Sequence, residues 1–199
     1  MKKIVIATRN KNKLIEMKEI LRDLPYEFVG LEEFLDIPEI EENGDTFLEN
    51  SLIKARTVHN LTGYPSIGDD TGLEVDYLKG APGVRSARFA GENAISSDNV
   101  SKLLTELNGI PLYQRNAQFR TVISFVTEQK EHWVEGIVKG LILFEPLGES
   151  GFGYDPIFYY PPLKKTFAEL SMDQKNKISH RGLALEKFRI LLGNNDFAL

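Results

Sequence analysis

The chain has 199 residues and a formal net charge of −5; 42% of the residues are hydrophobic and 27% charged. That length suits a single domain, with one or two lobes, and the negative balance argues against a scaffold that neutralises many nucleic-acid phosphates. The absence of cysteine removes disulfides, thiolate metal sites and a cysteine nucleophile, and His59, His132 and His180 lack the paired spacing of zinc ligands.

In chain order, Met1-Lys2-Lys3 precedes an apolar run too short for a signal peptide. No later stretch approaches the roughly 18 apolar residues of a membrane span, so the expectation is a cytoplasmic enzyme with no membrane partner. Lys3 to Thr8 reads as a buried β-strand and leads into Arg9-Asn10-Lys11-Asn12-Lys13. A helix follows, with Leu14, Met17, Leu21 and Leu24 at helical spacing. Asp45 or Thr46 opens a second helix, where Thr46 and Glu49 stand in capping-box register. Its apolar face is expected to hold Phe47, Leu48, Leu52, Ala55 and Val58.

Tyr64 to Gly68 reads as a strand that ends at Asp69-Asp70, and Gly80-Ala81-Pro82-Gly83 as a loop. A third helix runs from about Ser97 to Leu107, stopped by Asn108-Gly109. Ala117 to Thr127 and Trp133 to Phe144 form a hairpin-like pair. Gly148 to Gly153 is a glycine-rich loop before a strand at Pro156 to Tyr160. The C-terminal third reads as helical, with Thr166/Glu169 and Ser171/Gln174 in capping register. Its last helix begins near Ser179 and buries Leu183, Phe188, Leu191 and Leu192. Strands and helices mix without strict alternation, which predicts an α/β fold with a mixed β-sheet and flanking helices.

Five segments carry chemistry-bearing residues. Thr8, Arg9, Asn10, Lys11, Asn12 and Lys13 stand at a helix N-terminus, where cations are disfavoured unless an anion such as phosphate offsets them. Solvated side chains are the alternative there, and the spacing of an ordinary ATPase phosphate loop is missing. Asp69-Asp70-Thr71-Gly72 places adjacent carboxylates on opposite faces of a strand; one could hold Mg²⁺ or take a proton from water, although the same residues also suit a turn. Glu39, Glu41 and Glu42 could complete a metal shell or form a solvated acidic run, and Lys54 is either a surface lysine or a phosphate contact. Phe152, Gly153, Tyr154 and Asp155 could supply flat faces and an acceptor for a base, or form a turn with core aromatics. Lys175, His180 and Arg181 present donors, which suit a 6-oxo purine better than adenine; unrelated basic surface is the alternative.

Taken together, these stretches resemble the inosine triphosphate pyrophosphatase family, whose members act on non-canonical purine nucleoside triphosphates. The resemblance rests on Thr8-x-Asn10-x-x-Lys13, Thr46-Phe47-x-Glu49-Asn50-x-x-x-Lys54-Ala55 and Asp69-Asp70-Thr71-Gly72-Leu73-x-Val75. It continues through Gly80-Ala81-Pro82-Gly83-Val84-x-Ser86-Ala87-Arg88, Gly151-Phe152-Gly153-Tyr154-Asp155-Pro156-Ile157-Phe158, and Lys175 with Ser179-His180-Arg181. The family order is kept over nearly the whole chain.

The resemblance implies a single domain over 1–199 with two lobes around a nucleotide-binding cleft, and a homodimer. It implies hydrolysis of ITP, dITP or XTP to the monophosphate and pyrophosphate, which cleanses the nucleotide pool. Asp70 corresponds to the general base and metal-linked carboxylate; Glu41 and Glu42 are the further Mg²⁺ carboxylates expected from the acidic run, with the choice among Glu39, Glu41 and Glu42 open. The triphosphate falls to residues 8–13 and Lys54, the base to Phe152, Gly153, Tyr154, Asp155, Lys175, His180 and Arg181, and Thr71 is a further substrate-binding residue. Three positions depart from the pattern: Thr71 replaces serine, Ser51 replaces alanine, and Leu147 stands where an arginine often precedes the glycine loop. The rival expectations are a pyrophosphatase for modified pyrimidines or standard nucleotides, a non-catalytic nucleotide sensor, and a nucleic-acid-binding module. The last is disfavoured by net charge.

Overall fold

Alternation of buried residues sets the first strand, β1 (Lys2–Ile6). Ile4 and Ile6 join one apolar cluster, while Val5 and the following Ala7 join another, so both faces of the strand are covered. A computed structural model describes residues 2–35 and 37–193. The remaining strands are β2 (Tyr26–Val29), β3 (Ser66–Val75), β4 (Asn116–Val126), β5 (Glu131–Ile142), β6 (Phe158–Tyr160) and β7 (Lys165–Thr166). They form one sheet in the order β2-β1-β3-β4-β5-β6-β7. β1 is parallel to β2 and β3, whereas β5–β6 and β6–β7 are antiparallel, so the sheet is mixed as expected. Five helices accompany it among the described residues: α1 (Lys11–Leu21), α2 (Phe47–Thr62), α3 (Ser96–Glu106), α4 (Met172–Ile178) and α5 (His180–Gly193). No helix among the described residues is long and apolar enough to cross a membrane.

The chain divides into two compact units. The first comprises the segment up to Asp70, Thr121–Gly136 and the segment from His180; the second comprises Thr71–Arg120 and Ile137–Ser179. In the first unit, Met17 and Leu21 of α1 and Ala184, Leu185, Phe188 and Leu192 of α5 cluster with Ile4, Ile6, Ile67, Ile123 and Phe125. Val5, Ala7, Val29, Leu31, Ile37 and Val58 of α2 form a separate cluster. In the second unit, Phe119, Phe158 and Phe167 meet at ring separations of 4.6–5.8 Å within a cluster that also holds Leu73, Val75, Leu103, Leu107 and Tyr154. There the buried Arg115 donates to the carbonyls of Leu107 and Ile110, just past the end of α3, and to that of Leu143, just past the end of β5.

Several expectations need correction. β3 does not stop at Asp69-Asp70 but runs to Val75, because Leu73 and Val75 keep alternating into the second unit's core. The buried face of α2 carries Phe47, Asn50, Ser51, Lys54, Ala55 and Val58, while Leu48 and Leu52 are half-exposed. The face drawn as purely apolar is therefore rotated toward polar residues. Leu183 is 39% exposed and Leu191 only half-buried; Ala184 and Leu185 take their places in the core beside Phe188 and Leu192. Thr166/Glu169 caps a single short turn, Phe167–Glu169, rather than a long helix.

Candidate functional site

The carboxylate pair is built by strand geometry. Ile67 lies in the cluster with α1 and α5, so Asp69, two residues on, points to that face, and Asp70 points to the other with Gly68. Lys13 of α1 reaches Asp69 at 3.0 Å, and Arg181 of α5 lies 3.6 Å from the same oxygen. Arg181 is also bound to Glu16 of α1 at 2.5 Å, with both side chains buried. On the opposite face, Lys54 of α2 lies 3.6 Å from Asp70 and 2.8 Å from Glu42, and Asn50 donates to Asp70 at 3.3 Å. Lys54 and Asn50 are one helical turn apart, so one face of α2 delivers both.

Identical carboxylates one residue apart acquire opposite protonation behaviour. Burial raises the pKa of Asp69, but the charges of Lys13, Arg181 and Lys54 outweigh it and hold the group well below the usual carboxylate range. Burial also raises Asp70, where Lys54 and Lys13 oppose it less effectively and Glu42 and Asp69 add to it; the result is a carboxyl pushed up to about 6. Lys13 is lowered, mainly by burial. Lys54 is raised, because Asp70, Asp69 and Glu42 together outweigh its burial. Asp70 can therefore exchange a proton near neutrality, as a general base must, while Asp69 stays ionised and fixes its cations.

Within residues 8–13, the remaining side chains have local duties. The Asn10 side chain caps α1 by accepting from Asn12 and Lys13 N–H groups, and Thr8 accepts from Asn10 N–H. Arg9 donates to the carbonyl of Ile37, and Lys11 and Asn12 are exposed. Lys13 is the member brought to the carboxylates, and the anion beside it is Asp69. Glu41 is exposed, as is Glu39, whereas Glu42 is tied to Lys54. No group of three His, Asp or Glu side chains converges as a cation cage among the described residues. Mg²⁺ does not require one, since it commonly takes one or two carboxylates, several waters and ligand phosphate. Asp70 and Glu42, which meet the same ammonium, fit that donor set.

In the second unit, Asp155 Oδ2 accepts from Phe152 N–H at 2.8 Å and from Lys175 at 2.7 Å. The Lys175 ammonium also stands 4.6 Å from the centre of the Phe152 ring. Asp155 thus holds the glycine loop and the lysine together, rather than presenting that oxygen outward. Tyr154 departs from expectation: its ring belongs to the apolar core and its hydroxyl donates to Ser86 O at 2.9 Å, with burial raising its pKa. The half-buried Phe152 remains as the flat face for a base, beside Gly153. Thr71 is half-buried on β3 just after Asp70, and His180 is buried at the start of α5. Arg181, expected with the base, is committed to Glu16 and Asp69.

Glu16 and Asn50 were not foreseen as site residues. The available signals were spacings: Glu16 is three residues from Lys13, and Asn50 four from Lys54.

The Ham1 family model matches residues 4–191. A dITP/XTP pyrophosphatase of Desulforamulus reducens is 50% identical over 186 residues, covering 93% of this chain and 92% of that protein. Its counterpart in Geobacter sulfurreducens is 47% identical, covering 97% and 98%. Among solved structures, a HAM1 protein from Coxiella burnetii superposes with a TM-score of 0.90 at 45% identity, covering 98% of this chain and all of that one. The Staphylococcus aureus Ham1 protein gives 0.88 at 41%, with the same coverage. Full-length likeness in both sequence and fold places this chain in the Ham1 family.

Proposed function

We propose that this protein hydrolyses the non-canonical purine nucleoside triphosphates dITP, XTP and ITP to the monophosphate and pyrophosphate, with Mg²⁺ as cofactor. The observation that carries the reading is a buried carboxyl, Asp70, pushed up to about 6 among Lys13, Lys54 and an ionised Asp69. The full-length relatives named dITP/XTP pyrophosphatases support the substrate class.

Asp70 takes a proton from the water whose oxygen bonds to the α-phosphorus. The bond from that phosphorus to the bridging oxygen of the β-phosphate breaks, and pyrophosphate leaves. Lys13 and Lys54 offset the charge of the leaving group, and Asp69 and Asn50 keep Lys13 and Asp70 in place. Bound Mg²⁺, held by Asp70 and Glu42, would neutralise phosphate oxygens. Such placed charges and positioning account for most of the catalysis in phosphoryl transfer.

Base recognition is assigned to the second unit. The purine lies on Phe152, and the Lys175 ammonium, which donates and cannot accept, favours a 6-oxo over a 6-amino group. A buried donor left facing an amino group costs about 1–3 kcal/mol. A cytoplasmic homodimer completes the reading.

The test is incubation with Mg²⁺ and, separately, dITP, XTP, ITP, ATP and GTP. Pyrophosphate should appear with the first three and little with the last two. Orthophosphate as the product, or no product from any of the five, would overturn the assignment.

A further inference from the structure

The helices that bring cations to the carboxylate pair lie against strand glycines at contact distances that no other residue permits. A Cβ built on Gly68 of β3 would stand 2.0 Å from the carbonyl oxygen of Ser51 and 2.9 Å from the nitrogen of Ala55, both backbone atoms of α2. A Cβ on Gly136 of β5 would stand 2.0 Å from the carbonyl oxygen of His180 and 2.6 Å from the nitrogen of Ala184 in α5. In each case the atoms met are the acceptor and donor four residues apart that close one helical turn. The turn from Ser51 to Ala55 carries Lys54, and the turn from His180 to Ala184 carries Arg181. The first turn has a further tie: the buried hydroxyls of Ser51 and Ser124 of β4 lie 2.6 Å apart.

We propose that Gly68 and Gly136 are positioning residues for the carboxylate pair, each setting how closely a cation-bearing helical turn approaches the sheet. Gly68 seats Lys54 and Asn50 on Asp70, and Gly136 seats Arg181 on Asp69. Neither glycine touches substrate. A methyl group at either position must move helix backbone, since no flexible side chain can yield, and contacts under 3.0 Å do not persist. The shift opens the ion pair that the turn carries.

For catalysis the inference rests on the pyrophosphatase reading. The experiment is a double-mutant cycle in the full chain, with Gly68→Ala, Lys54→Ala and both together. Pyrophosphate release from dITP with Mg²⁺ is read beside urea unfolding of the metal-free protein. Gly68→Ala should lower kcat about 10²-fold per folded molecule, the scale of a small misplacement of reacting groups. The double variant should be no slower than Lys54→Ala, and Lys54→Ala should destabilise the Gly68→Ala background less than the wild type.

Gly140→Ala, which brings a Cβ to 2.5 Å from the Tyr159 carbonyl in the second unit, is the control. It should lose stability while keeping kcat per folded molecule. Gly136→Ala is read in the same way against Arg181→Lys. Additive losses for Gly68→Ala and Lys54→Ala, or equal kcat losses in Gly68→Ala and Gly140→Ala, would overturn the proposal. If Gly68→Ala does not fold, Ser124→Ala, which removes the second tie without adding atoms, decides. A several-fold kcat loss that vanishes in the Lys54→Ala background supports the seat, and full activity assigns Gly68 to stability. A wild type that releases no pyrophosphate would defeat the activity, while the urea cycle would still judge the seat.

Discussion

The first unit gathers Lys13, Lys54 and Arg181 among Glu16, Asp69 and Asp70, whereas the second combines a mainly aliphatic core, with Phe119, Phe158 and Phe167 in it, and a tight buried pair, Lys175 with Asp155. The second pair is matched: one ammonium and one carboxylate, whose oxygen also accepts from the Phe152 N–H of the loop. In the first unit burial is the main cause that raises Asp70 and lowers Lys13, and crowding by like charges adds to it: Glu42 and Asp69 for Asp70, Lys54 and Arg181 for Lys13. A matched pair fixes a loop. A mismatched cluster holds a group ready to change its protonation and cations ready to meet an anion.

The difference can be broken most sharply at Asp70. Asp70→Asn should cut kcat by about 10²–10⁴-fold, the range for a lost general base. The metal-free protein should meanwhile keep or gain stability toward urea, because a charge crowded by its neighbours has been removed. Asp69→Asn should do the reverse in kind, losing about 3 kcal/mol of unfolding free energy, because Lys13 loses its counter-charge and Arg181 keeps only Glu16. Equal instability of the two variants would erase the contrast drawn between adjacent carboxylates.

Lys175→Ala probes the second unit. It should erode discrimination between ITP and ATP by about 1–3 kcal/mol in kcat/KM, read as the ratio for the two substrates. An unaltered ratio would remove Lys175 from base selection.

The pH dependence sharpens the comparison further. Asp69 has a lowered folded pKa, so its stabilisation is present above its ordinary value of 3.8 and is lost as pH falls through the lower folded value. Asp70 is raised from 3.8 to about 6, so its contribution is fully present below 3.8 and is lost as pH rises toward 6. The stability of the metal-free wild type relative to Asp70→Asn should therefore decline across that window and level off above it. Urea midpoints measured from pH 4 to 8 test this. The smallest effect belongs to Arg56→Ala. Its pair with Glu131 is half exposed and should be worth about 0.5 kcal/mol in the same assay.

Much of this was legible in the sequence for identifiable reasons. Local rules placed α1, α2 and α3, because caps such as Thr46 with Glu49 and periodic apolar positions depend on near neighbours. Period-two alternation sent Asp69 and Asp70 to opposite faces, whichever helices proved to cover them. Partnerships between distant segments were not legible. Glu16 meets Arg181 across 165 positions, and no spacing rule reports that. The burial of Tyr154 depends on the carbonyl of Ser86, 68 residues away. β3 was cut short because Asp-Asp-Thr-Gly has turn composition, while the apolar partners of Leu73 and Val75 that extend it come from later in the chain.

The alternating placement of Asp69 and Asp70 has a consequence for how the chain can vary in length. Inserting or deleting one residue in β3 ahead of the pair would exchange their faces and carry one of the two carboxylates along the strand, away from the cations that its face presents. Outside Gly68 and the pair itself, side-chain identity there can drift without such an exchange, but residue count cannot. Length polymorphism among natural relatives is therefore expected in exposed loops such as Gly91 to Ala94, and is forbidden between Ser66 and Asp70.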